Sequence, residues 1–415
     1  MLTGSAVGDF TIDGQHPHVV LLPETEEDLA AALRQANSQN LAVAVFGGGT
    51  LQHIGYPPEA LDIVLVTNRL NHILIYEPGD LTISIQAGCT VAQIRAALAQ
   101  HGQMLPFDAA IPERATYGGL IATNLIGPRQ LGPGSYRDLL IGITVAYPDG
   151  TIAKAGGHVV KNVSGYDLMK LHLGALGTLG TILRLNFKVL TQPVADETAI
   201  VYGDPATLSN LAVQLATSSL TLDSIELSSP RTLPPLTDQW ALSIRATGSA
   251  RGVARKLGDL RQLVQAKDLT FHIAEASLAV ALWNACTAFY HNNAQDETQA
   301  VVRLAHRPSE LANLCHKVSA DCAQANIDVH FLAHAGSGIT YLRLNSPHLS
   351  TDLATLWPRL VSSWRSATLL ACPVTLKRHL SLWGELPSGF SLMQRIKGEF
   401  DPKRTLNRGR FIGHL

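Results

Sequence analysis

IPERATYGGLIATNLIGPRQLGPGSYRD, residues 111–138, is the stretch on which the fold turns. Its paired glycines, Gly118 and Gly119, carry no β-carbon and so offer a point where backbone can approach a ligand closely. Asn124, Gly127, Gly134, Ser135, Arg137 and Asp138 follow at loop-like spacing. Glycine-rich segments lie on either side. Upstream, LAVAVFGGGT (41–50) sets Gly47, Gly48 and Gly49 directly behind a strand-like run, and Thr50 adds a hydroxyl. Consecutive N–H groups there can turn toward an anion such as a pyrophosphate. Downstream, VVKNVSGYDLMKLHLGALGTLGTILRL (159–185) puts Gly174, Gly177 and Gly180 ahead of a β-rich run. Each glycine alone reads equally well as a turn; the ordered set within the first 190 residues is what points to a ligand.

Around these segments the patterning alternates. PETEEDLAAALRQANSQN has apolar residues at helical spacing behind Thr25, with Asp28 three positions on, and TVAQIRAALAQHG repeats the device with Thr90 and Gln93 before Gly102. LAVAVF, DIVLVT, HILIYE and LTISIQ read as strands, and IGITVAYPDGTIAKA reads as a hairpin with a two-residue turn at Asp149 and Gly150. After residue 193 the rhythm changes to β-α-β-β-α-β, from AIVYG to LTFHIAE, and repeats from AVVRLA to TLLACPV. Either the two units are ferredoxin-like halves of one antiparallel sheet with helices on one face, or a common pattern has recurred by accident. The expected organisation is α+β, with one domain over 1–192, a second over 193–379, and a tail over 380–415 that returns to the first.

Composition narrows the function. The chain has 415 residues, a formal net charge of -1 and 16% charged residues, so no basic field exists to hold nucleic acid. With 46% hydrophobic residues it is not a disordered chain, and the low charge fits a surface partly covered by partners. No apolar run reaches membrane-spanning length and no signal-peptide pattern opens the sequence, which predicts a soluble, cytoplasmic chain that meets a membrane only through partner subunits. Five scattered cysteines without a CxxC pair predict reduced thiols and no iron–sulfur cluster held by this chain alone. Absence of GxGxxG after a strand, GK[ST], GxSxG and HExxH argues against a Rossmann dehydrogenase, a P-loop NTPase, an α/β-hydrolase and a zincin.

Three motifs in order, GGGT after a strand, PxxxTYGGxxATNxxGPR followed by GSYRD, and VKNVSGYDLMKLHLGALGTLGTI, resemble the FAD-binding domain of the vanillyl-alcohol oxidase or PCMH type. VKNVSGYDL, the GPR-to-RD spacing and the short ending FDPKRTLNRGR are most similar to the family of glycolate oxidase (glycolate dehydrogenase) E subunits. The resemblance is dense over residues 17 to 193 and thin through the middle. It implies an FAD site made by Gly47, Gly48, Gly49, Thr50 and Leu51 on one side, and by Pro112, Thr116, Gly118, Gly119 and Asn124 on the other. Gly134, Ser135, Arg137 and Asp138 would lie along the cofactor, Gly177, Gly180 and Ile182 at its adenine and ribose end, and Arg410 at the flavin or a phosphate. The NPGR-like ending common in the family is here Asn407, Arg408, Gly409 and Arg410. The place of the family's covalent histidine is taken by Thr50 and Leu51, which implies noncovalent FAD.

The resemblance further implies oxidation of glycolate or a similar small 2-hydroxy acid, within a hetero-oligomer that adds a homologous flavin subunit and an iron–sulfur subunit. That chemistry calls for an arginine on the carboxylate, a base for the hydroxyl proton and a flavin to take the electrons. Arg303, His334 and Arg343, on expected strands of the second half, are the candidates; each could equally be an edge or interface side chain. His330 and His334, four apart on one strand, stand about 13 Å apart, too far to share one metal ion. Cys315 and Cys322, seven apart on an expected helix, lie about 10 Å apart and read as buried small apolar residues. Two rival functions stay open: a flavin-bearing relay or structural subunit without substrate chemistry, and a free-standing flavin oxidase of an alcohol or sugar.

Overall fold

The computed structural model describes residues 4–125, 127–158, 167–234, 236, 238–291 and 296–415. The run VVKNVSGY (159–166), which carries part of the family resemblance, lies outside the described residues. Two compact units divide the chain: Met1–Leu125, Ser135–Gln192 and Leu386–Leu415 form one, and Ile126–Gly134 with Pro193–Glu385 the other.

The first unit begins with a parallel three-stranded sheet in which Ile63–Val66 lies between Val19–Leu21 and Val43–Phe46. The helix Glu26–Ser38 connects two of these strands. It starts at Thr25, whose Oγ1 accepts from the Asp28 amide at 3.1 Å, and its first turn carries Glu26, Glu27 and Asp28 where the helix dipole favours negative charge. Its buried stripe, Leu29, Leu33 and Ala36, packs with Leu65, Leu70 and Leu183, and each fully buried leucine stabilises by about 2 kcal/mol. The helix Val91–Ala99 is capped the same way, Thr90 Oγ1 accepting from the Gln93 amide at 3.2 Å.

A five-stranded antiparallel sheet follows, in the order Ile73–Glu77, Thr82–Gln86, Thr181–Lys188, Leu140–Ala146, Ile152–Gly156. The expected hairpin is present between its last two strands, with a correction to the turn. Tyr147 N–H donates to the Thr151 carbonyl and Gly150 N–H to the Tyr147 carbonyl, both at 2.9 Å, so the loop has three residues, Pro148, Asp149 and Gly150. Pro148 fixes a negative φ at the first position, and only Gly150, at φ +83°, takes the left-handed conformation.

The C-terminal segment completes this unit. Val43 bridges Leu406 in parallel, its amide donating to the Thr405 carbonyl at 2.7 Å and its carbonyl accepting from Asn407 at 2.8 Å. Lys397, on the helix Phe390–Phe400, donates from Nζ to the Thr178 carbonyl at 2.7 Å, to Asp401 Oδ2 at 2.6 Å and to the Leu406 carbonyl at 3.2 Å. Asp401 in turn accepts from the Thr405 and Leu406 amides, both at 2.8 Å.

His172 is buried between the rings of Tyr147 and Phe400, and burial pushes its pKa down to about 4. Because the folded value lies below the unfolded one, the unfolded chain binds the extra proton between about pH 6.5 and 4, and stability falls as pH falls through that window. The expected result is that wild-type protein loses about 2 kcal/mol more than His172→Phe between pH 7.5 and pH 5, read by urea unfolding. Parallel pH slopes in the two proteins would contradict it.

The second unit is built on one eight-stranded antiparallel sheet. Its first half runs Thr270–Ile273, Ala195–Tyr202, Ala241–Gly248, Ser224–Ser228, and its second half runs Asp328–His334, Ile339–Asn345, Gln299–Ala305, Ser366–Ala371. Each half has the ferredoxin-like order, and the two meet through their second strands, where Glu226 pairs with His334 and Ser228 with Leu332. The helices Pro205–Ala216, Ala250–Gln265, Leu311–Gln324 and Leu349–Ser363 fall where the patterning places them. A further helix, Ala276–Ala288, is absent from the sequence-based expectation. No helix among the described residues is long and apolar enough to cross a membrane.

Candidate functional site

The three glycine segments converge in the first unit. One pocket is lined by Gly47, Gly48, Gly49, Thr50 and Leu51, by Thr116, Gly118 and Gly119, by Gly177, Gly180 and Ile182, and by Arg410. Local physics brings them there. Thr116 caps the helix Tyr117–Thr123, its Oγ1 accepting from the Gly119 amide at 3.3 Å. A β-carbon on Gly48 would overlap the Arg114 carbonyl, so this glycine lets the first loop close against the second. Arg114 strengthens that closure by donating to the Gly48 carbonyl at 3.0 Å. A β-carbon on Gly119 would instead meet only Thr116 Oγ1, at 3.3 Å, so its missing side chain leaves room beside the pocket.

The pocket's polar groups are incompletely satisfied. Arg410 donates to the Gln52 side-chain oxygen at 2.8 Å and to the backbone carbonyls of Gln52 and Ile54 at 2.6 and 3.1 Å, while its buried Nε has no partner. Burial pushes the guanidinium pKa down. Asn407 donates to the Leu176 carbonyl at 2.7 Å and leaves Oδ1 unpartnered, and Thr181 Oγ1 is likewise buried without a partner. Buried polar atoms normally find partners. A donor, an acceptor and a hydroxyl left open around one glycine-walled pocket fit a ligand that carries both donors and acceptors, as the phosphates, ribityl chain and ring system of FAD do. Gln52, Asn407 and Thr181 are not among the residues expected from sequence. Asn407 shares the NRGR ending with Arg410, which is the signal that could have found it; Gln52 and Thr181 carry none.

Other expected contacts lie outside the pocket's lining. Pro112 offers its carbonyl to the Ala92 amide at 2.9 Å. Asn124 ends the helix Tyr117–Thr123 in the left-handed conformation, exposed. Gly134 precedes a short helical turn in which Ser135 donates from N and Oγ to Asp138 Oδ2 at 2.8 and 2.7 Å, which holds the Asp138 pKa low. Arg137 is exposed on that turn.

Arg303, His334 and Arg343 share one face of the second unit's sheet. Tyr341 pairs with Arg303, Ile339 with His334, and residues 339, 341 and 343 alternate to the same side. His334 is buried, Nδ1 lying 2.6 Å from Glu226 Oε2, its ring edge-on to Tyr341 with centroids 5.2 Å apart. Burial pushes the Glu226 carboxyl up, and the neighbouring imidazole opposes that rise. Arg303 hydrogen-bonds Tyr341. Arg343 donates to the Phe289 carbonyl at 2.6 Å and stacks on the Phe289 ring at 4.5 Å. The helix Ala276–Ala288 and the residues after it cover this polar face, with Trp283 Nε1 donating to Thr198 Oγ1 at 2.8 Å and Tyr290 packed on Tyr341. Among the described residues no group of three or more His, Cys, Asp or Glu is placed to hold a metal ion.

A glycine-walled pocket with unpartnered donors and acceptors on an α+β unit fits a nucleotide cofactor such as FAD. Comparison with known families agrees: residues 17–166 match the family described as FAD binding domain, and residues 377–411 match FAD linked oxidases, C-terminal domain. The chain is 26% identical over 428 residues to a D-lactate dehydrogenase of Archaeoglobus fulgidus, covering 96% of this chain and 92% of that one. It is 35% identical over 168 residues to glycolate oxidase subunit GlcE of Escherichia coli, a match spanning 40% of this chain and 47% of that subunit. A crystal structure of p-cresol methylhydroxylase with substrate bound superposes with a TM-score of 0.79 at 13% identity, covering 98% of this chain and 92% of that one. The chain carries an FAD-binding domain and FAD is its cofactor, and its fold is similar to that of p-cresol methylhydroxylase.

Proposed function

We propose that the chain is the FAD-binding subunit of a glycolate oxidase or dehydrogenase complex, oxidising glycolate or a related small 2-hydroxy acid to the 2-oxo acid and passing the electrons to a partner subunit. The observation that carries this reading is the convergence of three glycine segments and three open polar atoms on one pocket, in a chain whose relatives include a D-lactate dehydrogenase and a glycolate oxidase subunit. Bound FAD would supply a two-electron acceptor. Arg410, Asn407 and Thr181 would hold it, with the glycine backbone at its sides. His334 would take the substrate hydroxyl proton at Nε2, and Arg303 or Arg343 would anchor the carboxylate. An exit for the electrons through a partner fits the cysteines: all five are buried outside any disulfide, and burial pushes the thiols of Cys89, Cys315 and Cys322 up to about 12.

The relay or structural reading draws on a specific observation. Both arginines already have partners, Arg303 on Tyr341 and Arg343 on Phe289, so a substrate carboxylate must displace one of these contacts.

The test is dye reduction driven by glycolate, measured for the isolated chain and for the chain mixed with a homologous flavin subunit and an iron–sulfur subunit. Slow or absent turnover alone and a restored rate in the mixture is the expected result. Full activity from the isolated chain would revive the free-standing oxidase, and flavin that stays oxidised in every mixture would favour the relay role.

No histidine, cysteine or tyrosine is among the pocket's lining residues, which supports noncovalent attachment. Acid precipitation is therefore expected to release the yellow chromophore into the supernatant. Colour retained in the pellet would contradict this.

A further inference from the structure

We infer that Glu226 is the positioning residue of the His334 base, its carboxylate holding the imidazole as the Nδ1–H tautomer so that Nε2 is left as an unpartnered acceptor on the polar face of the sheet. This rests on the proposed reading of His334 as the proton acceptor and adds a residue that sequence did not single out.

The two residues are direct cross-strand partners at the seam where the halves of the sheet meet, so backbone register, not chance side-chain reach, brings them together. Glu226 is 1% and His334 2% exposed, and Oε2 lies 2.6 Å from Nδ1. An ionised carboxylate only accepts, so Nδ1 must donate; a neutral imidazole has one N–H, so Nε2 is then an acceptor. That Nε2 is buried with no partner. A histidine retained only to stabilise the seam would be expected to have both nitrogens satisfied. The groups facing the ring are Glu226 from one neighbouring strand and Tyr341 from the other, with Arg303 bonded behind Tyr341. Ser243, the cross-strand neighbour of Glu226, and Ser224, two residues before it, also have buried hydroxyls without partners. Unpartnered polar atoms thus cluster around Glu226 and His334 on the face that the helix Ala276–Ala288 and the residues after it cover.

The experiment uses the full FAD-loaded chain, in the complex if the isolated chain is slow, with Glu226→Gln, Glu226→Asp and His334→Gln. Glu226→Gln keeps the shape and removes the charge; thermal melting checks that each variant folds. The first readout is nitrogen NMR of 15N-histidine-labelled protein, the His334 signal being identified by its loss in His334→Gln. Wild type is expected to show the Nδ1–H tautomer and Glu226→Gln to lose it. The second is the rate of flavin bleaching by glycolate and by D-lactate across pH. In Glu226→Gln this rate is expected to fall about 100-fold, the lower end of what general-base catalysis contributes. Glu226→Asp should recover most of the rate.

An unchanged tautomer in Glu226→Gln overturns the inference, as does a Glu226→Asp rate no faster than that of Glu226→Gln, which would mark a packing role. If neither substrate bleaches wild-type flavin, the reading of His334 as base falls instead, and the NMR result alone then decides whether Glu226 sets the tautomer.

Discussion

Replacing Gly119 by leucine is expected to empty the flavin pocket while leaving the unit folded. Gly119 occupies the third position of the helix Tyr117–Thr123 and lines the pocket. Outside its own helix, the only heavy atom of the described residues within 4 Å of an added β-carbon is Thr116 Oγ1, at 3.3 Å. Leucine is a better helix former than glycine by about 0.5–1 kcal/mol, so the substitution carries little intrinsic penalty for folding. Its isobutyl group would occupy the space that the missing side chain leaves beside the cofactor. A loss of at least about 100-fold in FAD affinity, roughly 3 kcal/mol, follows from steric exclusion. Flavin absorbance per folded protein, with far-ultraviolet circular dichroism as the control, reads the result directly. Gly48→Ala should behave in the opposite way: its β-carbon meets the Arg114 carbonyl, so the protein should lose stability together with its flavin. Full occupancy in Gly119→Leu would reduce Gly119 to a helix residue with no part in holding the cofactor.

The second large effect is expected at Lys397. Its ammonium is almost fully enclosed and joins Thr178 in the third glycine segment to Asp401, the C-cap of its own helix, and to Leu406 in the tail. Lys397→Met leaves the fully buried Asp401 carboxylate without its cation, and breaking a buried pair in this way costs about 3–5 kcal/mol. Asn407 and Arg410 follow within a few residues, so flavin retention should fall together with stability. The double variant Lys397→Met/Asp401→Leu removes the stranded charge but also orphans the Thr405 and Leu406 amides. It should therefore recover only part of the loss. Urea midpoints for the two single variants, the double variant and wild type close the cycle; a single-variant loss under 1 kcal/mol would show the pair to be dispensable.

What could be read from sequence was what local chemistry decides. Thr25 and Thr90 announce their helices because the cap and the amide it receives are three residues apart. The strands of the second unit were legible from alternation, and the duplicated order from its repetition. The hairpin at Pro148 was misjudged by one residue because Asp-Gly suggests a two-residue turn, whereas the preceding proline builds a three-residue one. The helix Ala276–Ala288 escaped notice because ASLAVALWNACTA has no polar stripe, and Glu275 makes no side-chain cap. At the site, the glycines were visible as a pattern. Gln52 and Thr181 were not, since each is an ordinary polar residue made special by neighbours far away in the chain, whereas Asn407 is marked only by the NRGR ending it shares with Arg410. Glu226 is the extreme case: within DSIELS it is one polar residue in an alternating strand, and only the seam between two halves gives it a histidine.

The bridge between Val43 and Leu406 fixes a timetable for the protein's birth on the ribosome. The strand Val43–Phe46 is made early, yet the backbone that hydrogen-bonds its first residue, with the arginine and asparagine of the pocket, is made only after the whole second unit. The second unit has its own continuous sheet and can fold while the first still waits for its closing segment. Flavin capture is thus expected to wait for the segment Leu386–Leu415, and a chain cut after Glu385 would be a colourless protein with its second unit finished and its first unfinished.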